Sequence, residues 1–415
     1  MTARIEQVSA KVVIVGAGPS GLRAATGLAR HLPGEVLVIE RESMPGGIPR
    51  HCAHAGFGLR DLGRFLDGPA YADRLVTRAI DAGARILTSA MATGWGAGRT
   101  LEVTSPCGRM DLSAEVVVLA TGARERPQPA RLVPGARCAG VFTTGELQNH
   151  VHLRHRSLGA RAVIVGSELV SWSAVLTLRE AGCRDIRMVT SSSRSEAYAV
   201  ADAFGRLVLR TPVLTDCRLI RVIGHQSVSA VEVEQAGEPK CIPCDVLVLT
   251  GDWIPDHELA RSAGLEIDDS SKAPVVDTAL RTSREGIFAI GNLVHPVDTA
   301  DVAALDGASV VPHVMAFLSG RQVPSTVVEL TVEPPLRWIS PSRLAVDEPV
   351  PPRARYLAWS DEFRALPRVV ATQDGRTVGS KRLWWPCAPG RAFRIPAGLL
   401  ARANPAGSQI RIHLA

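Results

Sequence analysis

Aromatic side chains make up only 4% of this 415-residue chain, and tyrosine occurs three times. That scarcity removes the stacking platforms on which single-stranded nucleic-acid sites are built. A basic block is missing too: the net charge is +6, and the positive residues, almost all arginine, are scattered. Nucleic acid is therefore not an expected partner. No apolar run has the length of a membrane span, so no transmembrane segment is expected. The first strand pattern begins at Lys11 and leaves no room for a signal peptide, which predicts a cytoplasmic location. The cysteines, at 52, 107, 138, 183, 217, 241, 244 and 387, are dispersed as suits reduced thiols. They nowhere form a four-cysteine iron–sulfur spacing. Only Cys241 and Cys244, in CIPC, lie close together. They precede a strand pattern rather than opening a helix, where a redox dithiol gains its low pKa, so two structural thiols are expected. His150, His152 and His155 do not share one helical face, and no metal site is expected.

What the chain does have begins at residues 11–21, KVVIVGAGPSG. The apolar run 12–15 reads as a buried parallel strand, and a helical pattern follows the glycines. Gly16, Gly18 and Gly21 have the G-x-G-x-x-G spacing, with Pro19 and Ser20 between the last two. The first glycine permits the turn, the second lets backbone approach a pyrophosphate, and the third lets helix and strand pack closely. The helix N-terminus presents free N–H groups to the anion. A second strand, 36–39, ends in Glu40, where a carboxylate can hold a ribose hydroxyl. A long Gly-rich loop follows, carrying Gly46, Gly47, Arg50, His51, Cys52 and His54; such loops are usually functional. A helix from about residue 69, a strand at 85–88 and a β-meander over 94–109 lead to a strand at 116–120. That strand ends in Ala120-Thr121-Gly122.

A second strand–turn–helix unit starts at 161–165, with a helix over 170–181. Its fingerprint is degraded: Gly166 survives, but Glu168 and Ser171 stand where the second and third glycines belong. The strand at 186–189 ends in Thr190, with no acid for a ribose, and a Ser-rich turn with Arg194 follows, which suits a phosphate. The strand at 246–249 leads into Thr250-Gly251-Asp252. Residues 286–291, GIFAIG, form a further short apolar run, followed by Asn292 and a helical pattern over 300–307. From about residue 325 proline is dense (334, 335, 341, 349, 351, 352). Short β patterns follow at 356–359, 368–372, 383–385, 392–395 and 409–414, with a hairpin turn at Asp374-Gly375. This reads as a small all-β packing or docking module behind a Pro-rich boundary, removable without loss of the cofactor.

The fingerprint, the distal acid and the Ala-Thr-Gly strand end resemble flavoproteins with two dinucleotide-binding domains, the glutathione-reductase-like class. The resemblance implies an α/β fold of two Rossmann-like domains, the FAD domain split by the second. The expected boundaries are 1–150 with 284–324 for the FAD domain, 151–283 for the second, degenerate NAD(P)-type domain, and 325–415 for the C-terminal β module. Asn292 replaces the family's usual Asp, keeping hydrogen-bonding capacity without charge. GGIPRHCAHAGFGL, ATGARERP, GSELVSWSAVLTLREAG, TGDWIPDHELA and GNLVHPVDTADVAA resemble a narrower group. These are the FAD-containing α-type subunits of dye-linked amine dehydrogenases, such as hydrogen cyanide synthase, opine oxidase and hydroxyproline dehydrogenase.

That resemblance implies FAD as cofactor, held by Gly16, Gly18, Pro19, Ser20 and Gly21 at the pyrophosphate and by Glu40 at the adenine ribose. Arg41 is expected against the adenine, Gly46 and Gly47 where backbone passes the cofactor, and Thr121 and Gly122 on the adenylate side. Gly291 and Asn292 are expected at the ribityl chain and phosphate. Arg50 and His51 are the catalytic candidates, a cation for reduced flavin and a proton carrier. Arg124 and Arg126 suit either a phosphate or structural salt bridges. The implied function is an FAD-dependent oxidoreductase, one subunit of an amine or amino-acid dehydrogenase. Its expected partners are a small iron–sulfur protein and a second flavoprotein subunit, with an amine or amino-acid substrate reached through the complex. A stand-alone NAD(P)H-dependent flavin reductase acting on a disulfide or quinone is the alternative, and a scaffold with structural FAD the third reading.

Overall fold

A computed structural model of the chain describes residues 6–296, 298–321 and 326–415. The expected boundary at 324/325 lies outside the described residues. The chain forms two compact units, one of Met1–Pro49, Gly56–Ala123 and Pro255–Ala415, the other of Arg50–Ala55 and Arg124–Ile254.

The first unit is organised on a seven-stranded sheet. Glu6–Val15 pairs in parallel with Val36–Ile39 on one side and Gly108–Leu119 on the other, and Arg85–Leu87 extends the sheet beyond Val36–Ile39. The strand Gly108–Leu119 does double duty. Its N-terminal half pairs antiparallel with Thr100–Ser105, which in turn pairs with Met91–Trp95, forming the expected meander. Its C-terminal half takes the returning strand Ile287–Ala289 in parallel. Val12 to Ile14, Val116 to Val118 and Ile287 to Ala289 are fully or almost fully buried, and helices pack against this sheet. Among those helices are Pro19–Ala29, Gly68–Asp81 and Ala300–Ser309.

The observed division between the units differs from the expected boundaries at 150/151 and 283/284. Leu259, Ala260, Ala263, Leu265, Val276 and Leu280 belong to the core of the first unit, so that core claims the chain from Pro255 onward. Conversely, Val141–Thr143 joins the sheet of the second unit. The stretch Ala300–Leu318 is, by length and composition alone, apolar enough to cross a membrane, which the sequence reading did not register. It carries Asp301 and Asp306, both buried and hydrogen-bonded within the unit, and it breaks into two helices at Val310. Those are the features of a core helix.

The second unit has a five-stranded parallel sheet ordered Val141–Thr143, Val246–Leu249, Arg161–Val165, Asp185–Val189, Val213–Leu214. Alternate residues point to two separate cores. Ile164, Met188, Val246 and Val248 meet the helix Leu169–Glu180. Val163, Val189, Leu247 and Leu249 meet an antiparallel sheet of Cys217–Gly224, Val228–Gln235 and Glu238–Pro243.

The C-terminal β module has a five-stranded and a three-stranded sheet around its own core, in which Tyr356, Ile395, Ile410 and Ile412 are fully buried. The hairpin at Asp374-Gly375 joins Arg368–Gln373 to Arg376–Arg382 as expected. Residues 383–385 are not a strand: pairing ends at Arg382, Leu383 turns into the core and Trp384 turns outward. Nor is the module a detached unit. Ser342 and Arg343 donate backbone N–H groups to Val276 O, and Thr278 Oγ1 links Ala345 N and Glu348 O. Arg281 pairs with both Asp277 and Asp347. The Pro-rich stretch is thus bound along the first unit's core, and the expected separability does not follow.

Candidate functional site

Gly16 opens the first fingerprint turn with φ +106°, and its N–H donates to Ile39 O at 2.8 Å. A Cβ here would stand 2.5 Å from Ala120 O, so only glycine fits. A Cβ on Gly21 would stand 2.0 Å from Gly16 O, a direct measure of how closely helix and strand pack. Gly18, the N-cap of the Pro19–Ala29 helix, differs: a Cβ would meet nothing within 4 Å. It faces open space before a helix N-terminus, where unpaired N–H groups attract an anion. Gly46 N donates to Ala17 O at 2.8 Å, and a Cβ on Gly47 (φ +65°) would stand 2.8 Å from Gly18 Cα. The two glycines therefore lie directly against the fingerprint loop.

Glu40 is buried, and both its oxygens accept backbone N–H groups, Oε2 from Ala17 at 2.8 Å and Oε1 from Glu42 at 2.9 Å. Each oxygen keeps a lone pair for a ribose hydroxyl, so the acid braces the loop while remaining able to accept. Arg41, with its side chain 57% exposed, pairs with Asp256 at 3.0 Å. Thr121 Oγ1 donates to Asp256 O at 2.7 Å, and Asp256 N donates to Gly122 O at 2.9 Å. Asp256 thus gathers Arg41, Thr121 and Gly122. Sequence reasoning missed it, although it stands in the TGDWIPD segment that carried the resemblance.

The returning strand ends in a turn, Gly291–Leu293. Gly291 has φ +69°, and a Cβ on it would stand 2.6 Å from Ser20 Oγ. Its N–H donates to Asp306 Oδ2 at 3.1 Å. Asn292 Nδ2 donates to Asp298 O at 3.0 Å. Asn292 Oδ1 and Asp298 Oδ2 are buried and have no hydrogen-bond partner among the described residues. They are acceptors lacking a donor there, and Asn292 directly follows the glycine packed on Ser20. Asp306 is fully buried with His295 Nε2 at 2.5 Å and Arg353 Nη1 in contact. Burial alone would raise its carboxyl pKa, but Arg353, His295 and the Gly291 N–H outweigh it and hold it below the usual range. His295, Asp298 and Asp306 were also missed as separate site residues.

The second loop repeats this backbone with different contents. Gly166 has φ +130°, and its N–H donates to Val189 O at 2.9 Å. Glu168 is the N-cap, at φ −76° and ψ 179° against −79° and −179° for Gly18. Its carboxylate is turned into the loop. Oε2 accepts from Ser171 Oγ at 2.8 Å and Thr250 Oγ1 at 3.0 Å, and a Cβ on Gly251 would stand 2.2 Å from Oε1. Over it lies the Ser-rich turn: Ala197 N donates to Ser167 O at 3.0 Å, Ser195 Oγ to Ser167 O at 3.2 Å, and Glu196 N to Ser167 Oγ at 3.2 Å. Burial and then the nearby Glu168 charge raise the pKa of Glu196. Arg131 backs the loop from behind, donating to Thr250 O and Gly251 O at 2.8 and 2.7 Å.

Arg50 and His51 are grouped with the second unit, not with the glycines of the first. His51 is buried. Cys52 donates to Gln148 Oε1 at 3.3 Å, and burial pushes its thiol up to about 12 in spite of that bond. His54 Nε2 lies 2.5 Å from Ser173 Oγ, which also accepts from Gln148 Nε2. Arg126 pairs with Asp252, the structural one of its two expected roles. Cys244 is buried and its thiol raised to about 12 by burial, while Cys241 is exposed; all eight cysteines are free. Glu125 is buried, with donors from Thr144 Oγ1 and Gly145 N; burial dominates and lifts its carboxyl to about 7. Among the described residues no group of three His, Cys, Asp or Glu side chains is arranged to hold a metal ion.

Residues 10–307 match the model of the pyridine nucleotide-disulphide oxidoreductase family. The chain belongs to that family. An opine oxidase subunit of Agrobacterium tumefaciens (strain Ach5) is 26% identical over 383 residues, covering 84% of this chain and 74% of that protein. Putidaredoxin reductase of Pseudomonas putida is 28% identical over 297 residues, 68% of this chain and 66% of that protein. Among solved structures, a thioredoxin reductase of T. acidophilum superposes with a TM-score of 0.64 at 20% identity, covering 76% of this chain and 99% of that one, a likeness of fold. This member of the family is an FAD-dependent oxidoreductase. The open space at Gly18, the braced Glu40 and the buried acceptors Asn292 Oδ1 and Asp298 Oδ2 fit FAD. The cofactor supplies hydride and single-electron transfer when bound.

Proposed function

We propose that this flavoprotein is one subunit of a heteromeric amine or amino-acid dehydrogenase, taking electrons from the amine and relaying them through FAD. The observation that carries the reading is the second fingerprint loop. Glu168 fills the position where backbone must approach a pyrophosphate, and residues 195–197 are bonded across Ser167. A like-charge pair at ~4 Å costs on the order of 4 kcal/mol at an effective dielectric of about 20. Even about 3 kcal/mol weakens binding roughly a hundredfold. A pyridine nucleotide is therefore a poor electron donor for this chain, and a substrate amine is the better one. The similarity to the opine oxidase subunit of Agrobacterium tumefaciens supports membership of such a complex.

In this reading Gly16, Gly18, Pro19, Ser20 and Gly21 cradle the FAD pyrophosphate, with Gly46 and Gly47 against them. Glu40 accepts from the adenine ribose, while Arg41, Thr121 and Gly122 border the adenylate. Gly291 and Asn292 meet the ribityl chain, and Asn292 Oδ1 accepts there. Arg50 and His51 serve the flavin's reactive end, one as cation and the other as proton carrier. The amine loses two electrons and two protons and leaves as an imine, which water hydrolyses. Bound FAD would supply two-electron acceptance from the amine and one-electron release to an acceptor. A small iron–sulfur protein and a second flavoprotein subunit are the proposed partners, since no cysteine cluster for such a centre stands in this chain.

Anaerobic titration of the flavin absorbance with candidate amines and amino acids, on the chain alone and with co-purified partners, tests the proposal. Bleaching by an amino acid in the assembled complex supports it; flavin that stays oxidised under every such condition counts against it. The similarity to putidaredoxin reductase favours the second reading, a stand-alone NAD(P)H-dependent reductase, and rapid bleaching by NADH would establish that one instead.

A further inference from the structure

The C-terminal β module reaches the cofactor turn at two separate points. Arg353, with its side chain 14% exposed, contacts Asp306 Oδ1 and donates to Val302 O at 3.3 Å. Asp306 Oδ2 in turn accepts the N–H of Gly291, the residue packed on Ser20 of the fingerprint helix. Arg394, on the strand Phe393–Pro396, stands 3.6 Å from Asp298 Oδ1. Asp298 holds Asn292 through its carbonyl and Thr299 N through its carboxylate. Two arginines of the module therefore meet two buried carboxylates, and each carboxylate's residue bonds one member of the Gly291-Asn292 pair. Arg353 makes its contact from a left-handed backbone at φ +60°, rare for a residue with a side chain, so the chain there is held out of its ordinary conformation.

We propose that the module is a clamp on the FAD site, with Arg353 and Arg394 as positioning residues. They neutralise Asp306 and Asp298 and thereby fix Gly291 and Asn292 in the geometry that receives the ribityl chain and its phosphate. Without the guanidinium, the fully buried carboxylate is left, among the described residues, with the hydrogen bonds from His295 Nε2 and Gly291 N. It then protonates or draws in water, and either change loosens its hold on the Gly291 N–H. The inference rests on FAD being the cofactor and is independent of what reduces it.

The test uses the full-length chain and measures the FAD dissociation constant by the fluorescence of released flavin. Arg353→Met and Arg394→Met are each compared with Arg353→Lys and wild type. The clamp predicts at least a tenfold weaker FAD affinity for Arg353→Met, a three- to tenfold weakening for Arg394→Met, and substantial recovery in Arg353→Lys. The far-ultraviolet circular dichroism spectrum of the apoprotein matches wild type in all three, since the module's own core is untouched. FAD affinity within twofold of wild type in a folded Arg353→Met overturns the proposal. Should Arg353→Met fail to fold, Arg394→Met decides, because it removes a partly exposed ion pair from a module whose core is separate: unchanged affinity there overturns the clamp, and weakened affinity sustains it.

Discussion

The two fingerprint loops share a backbone and differ in what fills them. Both first glycines sit at positive φ, both donate to the end of the neighbouring strand, and both N-caps have the same extended conformation. In the first, the space before the helix is open at Gly18 and an acid braces the loop from the next strand. In the second, Glu168 occupies that space and the turn after Thr190 is bonded over it. A Rossmann fold is thus a framework that holds a dinucleotide only if its loop is left empty. On the function proposed above, the contrast places FAD in the first loop and makes the second a poor grip for a pyrophosphate.

The strongest way to break the contrast is to fill the first loop. Gly18→Val is expected to abolish FAD retention, weakening binding by at least roughly a hundredfold, because the side chain enters the space a pyrophosphate needs. The fold survives, since nothing lies within 4 Å of the new Cβ. Flavin absorbance per polypeptide after gel filtration is the check, and a yellow stoichiometric variant would mean that the site lies elsewhere.

A second effect concerns the stability of the second unit. Glu125 has its carboxyl raised from 4.5 to about 7 by burial. Unfolded, it ionises from about pH 4.5 upward; folded, it holds its proton until about pH 7. Folding therefore takes up a proton between those values. Stability is highest below the lower pH, falls as pH rises through the window, and levels off above about 7. The integrated loss is at most about 3 kcal/mol. Urea unfolding at pH 5 and pH 8 should show that loss in wild type and its reduction in Glu125→Gln; parallel profiles for the two proteins would rule the assignment out.

Emptying the second loop should have a smaller effect. Glu168→Gly removes one carboxylate, but residues 195–197 and Glu196 remain in place. A gain of at most about a hundredfold in NADH affinity, roughly 3 kcal/mol, is expected by calorimetry. A gain of a thousandfold would show that Glu168 alone shuts the site. The smallest effect is at Arg41, whose pair with Asp256 is more than half exposed on the arginine side. Arg41→Ala should change thermal stability by less than about 1 kcal/mol, and a large drop would give the pair a weight that its exposure does not suggest.

How much of this was legible in the sequence follows from what fixes each feature. The parallel sheets were, because strands such as 12–15, 116–120 and 246–249 are buried on both faces and read as unbroken apolar runs. The two glycine loops and the loss at Glu168 were, because the backbone demands glycine at numbered spacings. The antiparallel sheet of the second unit was not, since Cys217–Gly224 and Glu238–Pro243 alternate too weakly to stand out beside loops. The network of Asp256, Asp298, His295 and Asp306 was not either, although its segments carried the resemblance. Burial of a carboxylate is a tertiary fact: Asp306 is buried beside Arg353, 47 residues on, and His295. For the same reason the Pro-rich stretch read as a boundary, whereas its backbone is bonded to Val276 and Thr278.

The most direct test of the central contrast is isothermal titration of the FAD-loaded wild-type chain with NADH and NADPH under anaerobic conditions, with the flavin absorbance followed in the same sample. The account predicts no binding tighter than about millimolar and no bleaching. Micromolar binding of either nucleotide, with or without bleaching of the flavin, would contradict it.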